Sequence, residues 1–301
     1  MQAAAGNVEF TSMDTTGGHP QAIRWPTAGE VIANGSNRYV VGRLLGRGGY
    51  GAAYAVTDQW DNSLVLKVLV PRGQSYEQVR NGWEREISSL LTLRHPNITY
   101  VYDAFELAYT FHIVVERCRG SLTDLFAIPN YDGYQWLYPI ARCVLQGIGY
   151  MHDNGYVHKD IHLRNVFWTY LRNELLPSNS QSVSFKIGDL GISRLETDID
   201  IYRPTVPWMY APEAIDPSAF GPAGHLTDLY NVGLVLLAVA LGYEPSLTRE
   251  QIVGGVPAQM ANQLRPPFNT AIARALTPFT QARTQSAFEF WCDLIAATNS
   301  G

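Results

Sequence analysis

What this sequence lacks narrows it first. It has only three cysteines, Cys118, Cys143 and Cys292, odd in number and widely spaced. They make neither a disulfide framework nor a zinc pattern. Positive charge is also scarce: 22 Lys and Arg against 27 Asp and Glu leave a net charge of -5, so no basic field points to nucleic acid as a partner. Long hydrophobic runs are missing. The longest, Val232–Leu241, falls far short of the roughly 20 residues that span a bilayer, and Met1–Phe10 lacks the basic-then-apolar layout of a signal peptide. No membrane partner is expected. A reducing interior compartment is, with the cytoplasm as the default and the nucleus open. There is no internal repeat, and nothing in the sequence bears on oligomeric state.

What is present is a chain of 301 residues, 46% of them hydrophobic, enough for a substantial core in one large domain or two lobes. Residues 1–36 show neither helix nor strand period. They read as an N-terminal extension, a tail that packs through Ile23 and Trp25. From Tyr39 the texture changes to short β-like runs, YVVGRLLG, AAYAV and LVLKVLV, separated by Gly and Asp/Asn clusters as in antiparallel strands. Apolar Val79, Trp83, Ile87, Leu90 and Leu91 then recur at helix spacing over 76–94, and His95-Pro96-Asn97 ends that helix. ITYVYDAF and FHIVVERC predict two more strands. Beyond Gly120 the helical period dominates, with helices expected over 121–127, 134–154, 227–242, 268–276 and 284–297. The polar stretch 168–184 reads as an extended loop or hairpin, a solvated loop by preference. The layout is a small β-rich lobe followed by a larger helical one, with a cleft expected near residues 116–120.

Several groups carry chemistry. Gly46-Arg47-Gly48-Gly49-Tyr50-Gly51 is a loop whose glycines let the backbone approach phosphates and whose N–H groups can cradle them; a plain turn has the same letters. A dinucleotide-binding turn would open directly into a helix, whereas strand, turn and strand follow here. Lys67 lies inside the apolar strand LVLKVLV. It reads either as a snorkelling edge lysine or as a cation paired with Glu86 and held against the α and β phosphates. In His158-Lys159-Asp160-Ile161-His162-Leu163-Arg164-Asn165 a carboxylate stands five residues before a carboxamide. That suits one group orienting a hydroxyl while the other holds a metal, although an Asx-rich turn looks similar. Asp189-Leu190-Gly191 follows another apolar strand, and an aspartate there can coordinate Mg²⁺, a hard ion that prefers oxygen.

Taken in order, the glycine loop, strand Lys, helix Glu, HxD…N, DxG and Ala211-Pro212-Glu213 resemble the eukaryotic-type protein kinase family, whose signature set they match. The resemblance covers about residues 39–297. It implies an α+β bilobal fold, with a small antiparallel β-rich N-lobe carrying one main helix and a larger, mainly helical C-lobe. The lobes would be 37–118 and 119–301, one kinase domain of about 37–298. It also implies ATP and Mg²⁺ as cofactors and a protein substrate. By position, Asp160 would accept or orient the hydroxyl proton, Asn165 and Asp189 would hold Mg²⁺, and Lys67 held by Glu86 would position ATP. Gly46, Gly48, Gly49 and Gly51 would cover the phosphates. Ala53, Val65 and Phe167 would enclose the adenine, Val115 would stand behind it, and backbone groups of Glu116 and Cys118 would meet its edge. Leu90, Val101, His158 and Leu190 would stack as an apolar column, Asp228 with Gly233 would open the central buried helix, and Arg283 would pair with Glu213.

The chain departs from the family pattern on the acceptor side. Lys159 replaces an Arg and so offers a point charge where Arg offers a bidentate fork. The acidic residues Glu196, Asp198 and Asp200 follow; they read either as a solvated acidic loop or as carboxylates doing part of the work of a loop phosphate, beside possible phosphorylation sites Thr197, Tyr202 and Thr205. His162 stands where serine/threonine kinases have the Lys that contacts the transferred phosphate, Arg164 has a tyrosine-kinase spacing, and 205–210 fits neither class. Ala53, Val65 and Phe167 reshape the adenine site. Serine/threonine transfer is the reading taken. The alternatives are a pseudokinase scaffold, a tyrosine or dual-specificity kinase, and a small-molecule kinase, the last opposed by Glu213 with Arg283.

Overall fold

Alternation of apolar and polar residues makes the first part of the chain a sheet. The computed structural model describes residues 25–48, 51–69, 75–172, 181–190, 194–195 and 206–299, apart from a few side chains, Glu86 and Leu90 among them. These fall into two units, one running up to Ser88 and joined by Tyr100–Arg117, the other made of Ser89–Thr99 and the chain from Cys118 onward.

In the first unit β1 (Val31–Asn34), β2 (Asn37–Gly48), β3 (Gly51–Asp58) and β4 (Ser63–Leu69) precede helix α1 (Tyr76–Thr92), and β5 (Val101–Leu107) and β6 (Thr110–Glu116) follow it. They form one antiparallel sheet of order β1-β2-β3-β4-β6-β5. Period-2 alternation sends Leu64, Leu66 and Val68 of β4 into the core with Tyr54, Val56 and Val114. Val65 and Lys67 are left on the opposite face. α1 lies on the sheet through Trp83, whose ring is 5.0 Å from that of Phe111 and whose indole N–H donates to the His112 carbonyl at 3.1 Å.

Residues 1–36 were expected to hold no strand. Instead Val31–Asn34 pairs antiparallel with Val40–Asn37. Four residues are too few to show a period; the edge of β2 supplies the pairing. Trp25 packs against this core as expected, while Ile23 lies outside the described residues.

In the second unit come β7 (Gly120–Ser121), α2 (Leu122–Leu125), α3 (Gly133–Asp153), β8 (Tyr156–Val157), β9 (Val166–Arg172), β10 (Gln181–Ile187) and β11 (Arg194–Leu195). Then follow α4 (Pro212–Ile215), α5 (Pro217–Phe220), α6 (His225–Leu241), α7 (Arg249–Val253), α8 (Val256–Asn262), α9 (Asn269–Ala275) and α10 (Ala287–Asn299). Residues 168–184 are not the solvated loop preferred from sequence: β9 and β10 pair throughout, Val166 opposite Ile187 to Arg172 opposite Gln181, and residues 173–180 lie outside the described chain. The short helices α4, α5, α7 and α8 went unpredicted, whereas α2 and α9, of similar length, were expected; one or two turns carry too little 3.6-residue signal to separate such cases. α6 is buried on every side from Thr227 to Val239, as a helix that is apolar all round must be.

Residues 89–99, placed by sequence in the first lobe, group with the second unit. The cause is hydrogen bonding to residues far along the chain. Ile187 N–H donates to the Asn97 carbonyl at 2.8 Å and Thr99 N–H to the Ile187 carbonyl at 2.9 Å. The Asn97 amide donates to the Phe185 carbonyl, and His95 stacks on Tyr150.

Candidate active site

The predicted nucleotide residues of the first unit share one face of its sheet. Lys67 on β4 lies opposite Ala53 on β3 and Ile113 on β6. Val65 lies opposite Ala55 and Val115, and Gly46 opposite Ala53. Directly opposed residues of antiparallel strands point the same way, so Ala53, Val65, Lys67 and Val115 form one surface. Gly48 and Gly51 are paired where β2 meets β3; Gly49 and Tyr50 lie outside the described residues. Gly51 must be glycine. Its φ is +154°, and a Cβ there would meet the Val68 carbonyl oxygen at 2.0 Å. Glu116 ties the sheet edge, its N–H donating to the Tyr100 carbonyl and its Oε1 accepting from the Tyr100 N–H, each at 2.9 Å. Glu86 stands on α1, its side chain outside the described residues. Cys118 belongs to the second unit.

In the second unit the loop 158–165 is buried and densely hydrogen-bonded. Asp228, fully buried at the start of α6, accepts the main-chain N–H of His158 at 2.8 Å and of Lys159 at 3.0 Å. Its Oδ2 also lies 3.0 Å from His152 Nε2. Burial alone would push this carboxyl up, but the bonds from His152 and the His158 main chain outweigh it and hold its pKa below the ordinary value. With its backbone pinned, Lys159 takes a left-handed φ of +72°, uncommon for a non-glycine residue.

His158 is fully buried. Its Nδ1 accepts the Asp160 N–H at 3.3 Å and its Nε2 lies 3.2 Å from the Gly188 carbonyl, a pattern that fits the neutral tautomer protonated on Nε2. Burial pushes its pKa down against the pull of Asp228 and Asp160.

Asp160, His162 and Asn165 converge. The Asn165 amide donates to the Asp160 carbonyl at 3.0 Å and approaches Asp160 Oδ2 at 3.4 Å. With its amide nitrogen turned to Asp160, Asn165 presents Oδ1 on the other side; that oxygen and the Asp189 carboxylate are of the hard type a Mg²⁺ ion would require. His162 Nδ1 accepts the Arg164 N–H at 3.2 Å, and its Nε2 lies 3.5 Å from Asp160 Oδ2. Asp189 has a φ of +64° and is exposed, while Leu190 beside it is 1% exposed. Phe167 packs over Gly188, where a Cβ would lie 2.7 Å from its ring.

Of the predicted apolar column, His158 and Leu190 are buried in the second unit and Val101 is half-buried in the first; the Leu90 side chain lies outside the described residues. So do Gly191, Glu196, Thr197, Asp198, Asp200, Tyr202 and Thr205. The Glu213–Arg283 pair expected from sequence is present and wholly buried, with Arg283 Nη1 and Nη2 donating to the two Glu213 oxygens at 2.7 and 2.9 Å. The carbonyls of Leu226, Thr277 and Pro278 take the remaining guanidinium donors.

Sequence reasoning missed two links. Asp228 as organiser of loop 158–165 had one signal, an acid opening an apolar helix. Glu244 had none; it accepts the Trp208 indole N–H at 3.1 Å and the Arg164 guanidinium at 3.4 Å.

Known proteins share this organisation. The protein kinase domain model matches residues 39–296. The chain is 27% identical over 228 residues to Drosophila melanogaster serine/threonine-protein kinase polo, covering 73% of this chain and 36% of that one. It is 29% identical over 216 residues to Arabidopsis thaliana mitogen-activated protein kinase kinase kinase 3, covering 69% and 36%. The chain thus spans about a third of the length of these relatives. In fold it resembles the Mycobacterium tuberculosis PknI kinase domain, with a TM-score of 0.65 and 24% identity over 91% of this chain and 100% of that one. With the family match covering most of the sequence and both units built as that family requires, the chain belongs to the protein kinase domain family.

Proposed function

We propose that this chain is an ATP-dependent protein kinase that transfers the γ-phosphate to a serine or threonine hydroxyl of a protein. The observation that carries the reading is the grouping of Asp160, Asn165 and His162 in one buried hydrogen-bonded loop, together with the serine/threonine kinases among its relatives.

MgATP, when bound, supplies the transferable phosphoryl group and the cation that neutralises its developing charge. The remaining work falls to the chain. Asp160 orients the acceptor hydroxyl and accepts its proton. The Asn165 amide, anchored on the Asp160 main chain, holds that carboxylate in place while Asn165 Oδ1 and Asp189 serve as magnesium ligands. His162, whose Nε2 lies 3.5 Å from Asp160 Oδ2, helps to orient that carboxylate. Lys67, with Glu86 as partner, positions the α and β phosphates under Gly46, Gly48, Gly49 and Gly51. By the family resemblance, Ala53, Val65, Val115 and the backbone of Glu116 in the first unit would serve the base, as would Phe167 and the backbone of Cys118 in the second. The three widely spaced cysteines suit a cytoplasmic location.

Incubating wild type and Asp160→Ala with labelled ATP and a peptide library tests this directly. Serine or threonine peptides are labelled by wild type and lose labelling with Asp160→Ala. An unlabelled library with wild type would instead make the chain a scaffold.

A further inference from the structure

The segment ahead of the family match is built into the first unit at three places. The Gly29 N–H donates to the Val41 carbonyl and the Val41 N–H to the Glu30 carbonyl, each at 2.8 Å. β1 pairs with β2 through Asn34 opposite Asn37. Past that turn, Asp103 of β5 gathers the Asn34 amide at 3.0 Å, the Asn37 amide at 3.0 Å and the Tyr39 hydroxyl at 2.8 Å. β1 and β5 are opposite ends of the strand order, so one carboxylate fastens the N-terminal hairpin to the far edge of the sheet.

At the front of this segment Trp25 lies partly buried against the core. The guanidinium of Arg47 sits over its ring, Cζ 4.1 Å from the centroid, well inside cation–π range. Arg47 is exposed and is the second residue of the glycine loop, between Gly46 and Gly48 and opposite Ala52. The β2–β3 pairing holds the base of this loop, but its glycines lose more backbone freedom on ordering than any other residue. The guanidinium over the indole fixes its base to a plate that is held independently.

We propose that Trp25 is a positioning residue for the glycine-rich loop: through Arg47 it holds the loop ordered before nucleotide arrives, so that residues 25–37 are a working part of the nucleotide site. This rests on the nucleotide-binding reading of the loop. Ordering completed beforehand is not charged against binding, so the anchor tightens nucleotide affinity. An exposed cation–π pair is worth about 0.5–1 kcal/mol, which corresponds to roughly a two- to five-fold change in affinity.

The test uses the full chain as wild type, Trp25→Ala, Trp25→Phe, Arg47→Gln and the Trp25→Ala/Arg47→Gln double variant. MgATP-analogue affinity is measured by calorimetry, and amide exchange over 46–53 is measured without nucleotide. Trp25→Ala is expected to weaken analogue binding roughly two- to five-fold and to speed exchange in the loop. Trp25→Phe should restore most of both, and the double variant should be no worse than the worse single one. Unchanged affinity and exchange in Trp25→Ala, even with a lowered Tm, would overturn the proposal and leave the kinase reading intact, as would a Trp25→Phe variant as impaired as Trp25→Ala. A wild type that binds no analogue would overturn both.

Discussion

At the scale of single residues, identity was legible and surroundings were not. Asp160, Asn165 and Asp189 are singled out by the ordered motifs and the family they resemble, yet nothing in those motifs says that His162 Nε2 comes within 3.5 Å of Asp160 Oδ2. The loop that carries both is pinned at His158 by Asp228, seventy positions away. His112 is the clearest hidden case. It is 3% exposed and stacked on Phe105 with ring centroids 5.0 Å apart, and its Nδ1 has no hydrogen-bond partner among the described residues. Burial pushes its pKa from the ordinary 6.5 down to about 4. Between these values the unfolded chain binds the proton and the folded one does not. The contribution is therefore intact above 6.5 and is lost as pH falls toward about 4, at about 1.4 kcal/mol per pH unit. Urea unfolding of wild type should show this loss, and His112→Leu should flatten it. Gly188 gives a second residue-level prediction. Gly188→Ala drives a Cβ into the Phe167 ring and should destabilise by about 1–3 kcal/mol. Pairing it with Phe167→Leu should restore much of the urea midpoint; no difference between the single and double variants would show that the ring gives way without strain.

At the scale of elements, long periodic segments were legible and short ones were not. β2 to β6, α1, α3, α6 and α10 appear where alternation or helical spacing predicts them. β1 has four residues and exists because β2 offers an edge; β9 and β10 were obscured by the polar residues between them. The tie between α4 and the turn before α10 was legible as two letters, Glu213 and Arg283, but its energetics follow from complete burial. Both side chains are 0% exposed, so removing one partner strands a charge. Glu213→Ala should lower stability by about 3–5 kcal/mol, read as a shifted denaturant midpoint at constant m-value. A change under about 1 kcal/mol would mean that water reaches the guanidinium in the variant. Glu213→Leu with Arg283→Met should be much milder than Glu213→Ala, since it leaves no buried charge.

For the whole molecule, nucleotide binding should link to folding. Saturating MgATP at about 100-fold over its Kd should add about 2.7 kcal/mol to stability, seen as a raised Tm, and Asp189→Ala should lose most of that gain. An equal gain in Asp189→Ala would show that nucleotide binds without this carboxylate. By itself the sequence determined the order of the chemistry-bearing residues, the sheet-then-helix layout and the family they resemble, because residue type and the periods 2.0 and 3.6 are local properties of a chain. Only the tertiary structure decided that residues 89–99 group with the second unit, that Asp103 fastens the N-terminal hairpin, that Asp228 shapes the loop carrying Asp160, and that Trp25 meets Arg47. Each rests on contacts between residues far apart in the chain, such as Asn34 with Asp103, 69 positions away. No local pattern records them, since the partner's position is set by how the intervening elements pack.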